Sequence, residues 1–121
     1  MEIAELEKII LGWMDEKSIP HKHFTGIEIK CMSDHKTRWV LGRCTWYTND
    51  TFKIFLDEKT LGLPKKCLDA VLWHEFCHAW DYWENRGMDS HGKRFYSYFL
   101  SRKWVWVWDL VAKFTVLFEQ N

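Results

Sequence analysis

One run of this sequence has residue types and spacing suited to chemistry: His74-Glu75-Phe76-Cys77-His78, an H-E-x-x-H pattern. Four residues advance a helix by slightly more than one turn, so on a helix His74 and His78 project from one face, near enough to share a metal. Zinc suits neutral imidazole ligands in a tetrahedral site, and a catalytic zinc needs three protein ligands and one open position. Glu75 leaves the helix about 100° round from His74. At the edge of that face it can reach a water without binding the metal, the position of a general base.

The third ligand should lie where the chain returns. His91 is the best candidate, thirteen residues after His78, and Gly92 beside it permits close backbone approach to the helix carrying the other two. Asp89 and Glu84 are the runners-up. Glu84 lies on the same helix as His78, six residues on, and so points elsewhere. His21, His23 and His35 read as loop and turn histidines. Cys77 reads as a small packing residue that faces away from the ligands.

The elements that must position these groups follow from periodicity. Ile3, Leu6, Ile9, Ile10, Trp13 and Met14 recur at three- and four-residue steps, an amphipathic helix over about 2–16. From Gly26 the period changes to two. Strands are expected around Ile27–Met32, Trp39–Cys44 and Phe52–Leu56, with turns at Ser33–Lys36 and Thr48–Asp50. The three read as an antiparallel meander, and Gly42 within the second suggests a bulge or a close backbone approach. Pro64 prepares a helix from about 65 to about 85, and Arg86-Gly87 ends it, with glycine in the usual C-terminal place. Asp89 or Ser90 could cap the next helix. The run KWVWVWDLVAKFTVLF alternates locally like a strand, but Trp104, Val107, Trp108, Val111, Phe114 and Phe118 form a longer helical stripe, so helix is expected.

Composition sets the frame. The 121 residues fit one domain, and 47% apolar content with 17% aromatics is enough for a core. The nine tryptophans read as bulky core filling. Seventeen basic and seventeen acidic residues cancel, which excludes a surface built throughout for nucleic acid or anionic lipid. The segment 90–121 is locally basic, with five Lys or Arg against two Asp or Glu. The four cysteines form no C-x-x-C pair, so there is no zinc-ribbon signal. MEIAELEK is no signal peptide, and no stretch reaches the ~18 apolar residues of a membrane span. An intracellular location with reduced thiols is expected.

The segments HEFCHAWD and HGKRF, together with Leu41-Gly42 and Phe52–Asp57, make the sequence similar to the SprT-like zinc metallopeptidases, which include the Spartan-type proteases that act on DNA–protein crosslinks. The matching positions are His74, Glu75, Cys77 and His78, then His91, Gly92 and Phe95. The resemblance covers roughly residues 38–100. It implies an α+β, zincin-like domain, and with the elements read from periodicity the expectation is a single domain over residues 1–121: an N-terminal helix, a three-stranded antiparallel sheet, the H-E-x-x-H helix and C-terminal helices. It also implies one Zn2+ per chain on His74, His78 and His91, Glu75 as catalytic base, and protein or peptide substrates, DNA-associated proteins among them. A looser resemblance is to small zincins with Glu as third ligand. The alternative function is a non-catalytic, zinc-stapled binding module for DNA or a partner protein.

For peptide hydrolysis, the apolar helix would raise the pKa of Glu75 by desolvation. Arg94, Tyr96 and Tyr98 are candidates to stabilise the oxyanion. The strand 52–56 could take up an extended substrate by strand addition.

Overall fold

A computed structural model describes residues 2–32 and 40–119. The expected turn at Ser33–Lys36, with His35, and the expected strand residue Trp39 lie outside the described residues. The chain runs α1 (Ile3–Glu16), β1 (Phe24–Lys30), β2 (Gly42–Trp46), β3 (Phe52–Asp57), α2 (Lys65–Asn85), α3 (Lys93–Phe99) and α4 (Val105–Glu119), an α+β arrangement. Single 3-10 turns lie at His21–His23 and Glu58–Gly62.

The sheet order is β1-β3-β2, with β1 parallel to β3 and β2 antiparallel to it. The antiparallel meander expected from the sequence is therefore corrected to a mixed sheet. Alternation tells which side chains share a face but not which strand lies beside which. The discriminating signal was the near-continuous apolar run of β3, FKIFL, which marks a strand covered on both faces. Since β3 is central, both its edges are occupied, and substrate addition to 52–56 is ruled out. Among the described residues β2 is an edge strand.

α1 packs on β1 through Leu6, Ile10 and Met14, all fully buried, and α2 crosses β2 and β3. Phe52, Ile54 and Leu56 meet these helices in the core, and Trp13 joins α1 to α2 by an edge contact with Trp73, ring centroids 5.0 Å apart. Burying an aromatic ring of this size stabilises by about 2–3 kcal/mol.

α2 has the expected bounds, but its end differs. Arg86, not Gly87, takes the left-handed conformation, with φ of 55°, and its N–H donates to the carbonyl of Tyr82. α4 is helical as expected, though on a different face. It buries Asp109, Ala112 and Val116 against the rest of the fold and exposes Trp106, Leu110 and Phe114. A helix apolar on all sides carries no stripe that fixes which side turns inward. Trp104, just before α4, is the most exposed large apolar residue among the described residues, so core filling does not account for every tryptophan.

Candidate metal centre

The expected ligands come from two places. His74 and His78 leave one face of α2, and His91 comes from the loop before α3, not from the helix itself. His91 Nε2 lies 3.0 Å from His74 Nε2 and 3.1 Å from His78 Nε2. Four-coordinate zinc at ~2.05 Å from each nitrogen spaces its ligand atoms about 3.3 Å apart, so the cluster could hold such an ion. Among the described residues no other group of three His, Cys, Asp or Glu side chains meets in this way.

The donor chemistry fits a metal. Burial, reinforced by the neighbouring His74 and His91, pushes the pKa of His78 down to about 3. Burial and His74 also lower that of His91. Both rings are therefore neutral at pH 7 and present lone pairs. Phe95 is wedged among the three imidazoles. It stacks on His78 with centroids 4.2 Å apart and meets His91 edge-on at 4.9 Å.

His91 is delivered by a tightly held return. Asp81, one turn beyond His78 on α2, is fully buried and accepts from Asp89 N at 2.7 Å and Arg94 Nε at 2.6 Å. Arg94 also donates to the carbonyl of Gly87. His91 sits at φ of 60°, a left-handed conformation uncommon for a residue with a side chain, and its N–H donates to Asp89 O. In this conformation the His91 ring reaches His74 and His78 on α2. Asp89, a runner-up from the sequence, does not join the cluster, and its Oδ2 accepts from Phe95 N in the first turn of α3. Gly92 is needed for that contact and not for approach to α2: a Cβ there would lie 2.6 Å from Asp89 Oδ1.

Glu75 is 6% exposed and lines the same cleft, of about 290 Å3, as the three histidines. Burial raises its pKa to about 7, against the opposing pull of His74. It packs against Gly42 of β2, so the glycine marks a close approach and not a bulge of β2.

The remaining expectations divide. His21 pairs with Asp15, and His23 Nδ1 contacts Asp50 O at 2.7 Å, both away from the cluster. Cys77 is buried in the core, and desolvation pushes its thiol pKa far up, so it packs rather than reacts. Arg94 is committed to Asp81, and Tyr98 OH accepts from Asn85. Neither they nor Tyr96 line the cleft, whereas Arg43 does. A larger groove, about 490 Å3, lies between α1, α2 and the start of α4, but Trp13, Trp104 and Trp108 line it with no histidine or cysteine.

Sequence reasoning passed over two acids. Asp81 enters the sequence reading only as the last residue of HEFCHAWD. Asp109 enters the sequence reading only as a charge of the C-terminal segment, yet it is buried, with Oδ2 3.5 Å from His74 Nδ1 and 3.1 Å from Lys113 Nζ. Burial works to raise the Asp109 pKa, but His74 and Lys113 outweigh it and hold the carboxyl below its usual range. The available signal was that Asp109 and Lys113 are the only charges between Trp104 and Phe118.

The sequence profile of the SprT-like family matches residues 11–102, most of the chain and all three clustered histidines. The chain belongs to the SprT-like family. The SprT-like segment takes in α2, the return loop and α3, and stops before α4. Comparison with curated proteins and with solved structures returns no match. No helix among the described residues is long and apolar enough to cross a membrane.

Proposed function

We propose that this SprT-like protein is a zinc-dependent peptidase of the zincin type, with one Zn2+ on His74, His78 and His91 and Glu75 as general base. The observation that carries the reading is the convergence of three imidazole Nε2 atoms in one cleft with a buried glutamate. Zinc bound there would supply Lewis acidity, polarising the scissile carbonyl and acidifying a water. Glu75 takes a proton from the attacking water as the new C–O bond forms, then delivers it to the leaving nitrogen as the C–N bond breaks. Burial raises this carboxyl to about 7 in the metal-free protein, and a bound cation would pull it back toward the ionised form that a general base needs.

The substrate would lie extended along β2, the edge strand beside the cleft, whose Gly42, Arg43 and Cys44 line it. Main-chain hydrogen bonds to that edge bind peptides with little regard to sequence. Arg43, exposed at the rim, would meet the developing oxyanion or the substrate backbone. The edge of β2 beside the cleft supports a reading of protein or peptide substrates, with DNA-associated proteins as one proposed class of them.

A second reading, a zinc-stapled binding module, draws support from the exposed Trp104, Trp106 and Phe114. It gives no reason for a buried glutamate in the cleft. Elemental analysis and digestion of an unfolded protein separate the two. The peptidase reading expects about one zinc per chain and cleavage that Glu75→Gln abolishes while zinc stays. Zinc binding with no turnover by the wild type would favour the module.

A further inference from the structure

We propose that Asp109 is a positioning residue for the metal site, holding His74 by its Nδ1–H so that Nε2 keeps its lone pair toward His78 and His91. The inference rests on the zinc reading above and adds a residue from outside the segment that the family profile matches.

Asp109 is 6% exposed on the inward face of α4, beside Ala112 and Val116, both fully buried. A carboxylate there is costly unless it is paired. Its Oδ2 lies 3.5 Å from His74 Nδ1. That nitrogen is itself buried and has no hydrogen-bond partner among the described residues. The separation is longer than a good hydrogen bond, yet Asp109 is the acid that faces this nitrogen. A ring nitrogen that donates to a carboxylate fixes the tautomer, leaving the opposite nitrogen as the ligand and making it more basic. On the other side Lys113 Nζ, one turn along α4, holds the same Oδ2 at 3.1 Å. The carboxylate is thus anchored to its own helix and aimed at α2. α4 is one of the elements most extensively packed on α2, so the position of Asp109 is set by tertiary contact and not by a loop.

The test is zinc affinity by chelator competition, with the absorption spectrum of the cobalt-substituted protein and urea unfolding of the metal-free protein beside it. Asp109→Asn keeps the shape and removes the charge. It should weaken zinc by about 10–100-fold, shift the cobalt spectrum and leave the metal-free unfolding midpoint close to wild type. Lys113→Gln, which cuts only the other ion pair, should keep affinity within about threefold of wild type. Zinc affinity in Asp109→Asn within about twofold of wild type would overturn the proposal. So would an equal loss in Lys113→Gln, because Asp109 would then serve only to anchor α4. If Asp109→Asn fails to fold, Asp109→Glu carries the test, and a loss beyond about tenfold despite its carboxylate overturns the idea. A wild-type protein that holds no zinc removes the function reading itself, and the proposal with it. Zinc that is lost in His91→Ala but unchanged in Asp109→Asn removes the proposal alone.

Discussion

Gly42 of β2 lies directly against Glu75 of α2: a Cβ built on Gly42 would come within 2.8 Å of Glu75 Cγ and 3.1 Å of Oε2. Real side chains do not approach so closely, so the absent methyl group is what lets the carboxylate sit between the edge strand and the three histidines.

Gly42→Ala should therefore displace Glu75 while leaving all three imidazoles in place. Misplacing a catalytic group by about 1 Å can cost about 100-fold in rate. The expected outcome is a kcat lowered by about that factor with zinc content unchanged. Steady-state cleavage measured beside elemental analysis checks it, and full activity in the variant would show that the close approach has no bearing on the base.

The raised pKa of Glu75 has a consequence for stability without metal. Its pKa goes from 4.5 to about 7 on folding, mainly by burial. The folded state therefore binds the proton more tightly than the unfolded state. The stabilisation from this group is full below pH 4.5 and is lost as pH rises through about 7. Glutamine does not titrate. Metal-free Glu75→Gln should accordingly gain on wild type as pH rises, by about 1–3 kcal/mol at pH ~8 compared with pH ~4.5. Urea unfolding of chelator-treated protein at both values reads the difference. A gap that stays constant with pH would mean that the carboxylate is not desolvated.

Asp81 should matter to the metal although it touches none of the three imidazoles in the hydrogen-bond network. It holds Asp89 N and Arg94, and through them the return loop that carries His91. Asp81→Asn keeps the size and weakens both charge-assisted bonds. Thermal unfolding should show a lower midpoint, and zinc affinity should fall by about tenfold or more as His91 loses its fixed place. Arg94→Lys should show a smaller effect of the same kind, because an ammonium cannot span Asp81 and the Gly87 carbonyl as a guanidinium does.

Local periodicity made much of this protein legible. The bounds of α1 and α2 came from apolar spacing, and the shared face of His74 and His78 came from helix pitch alone. His91 could be named because few residues downstream can ligate zinc and the helix had to end before the chain turned back. What the sequence could not carry was which element lies beside which. The three strands were readable, yet strand order depends on long-range hydrogen bonds that leave no mark in alternation, so the mixed sheet and the edge position of β2 emerged only in three dimensions. Gly42 reads from the sequence as a bulge or a close approach, but that it faces Glu75 is decided by how α2 crosses the sheet.

α4 shows the division most sharply. Its helical character was written in fifteen residues of pattern, but its inward face was not, because a helix apolar all round has no preferred side. Packing on α2 chose that side and so placed Asp109, thirty-five residues from His74 in sequence, against that ring. The sequence determined the types of group and their local spacing. The tertiary structure decided which buried acid serves which histidine, because burial and distance between remote residues are properties of packed elements and not of neighbouring letters.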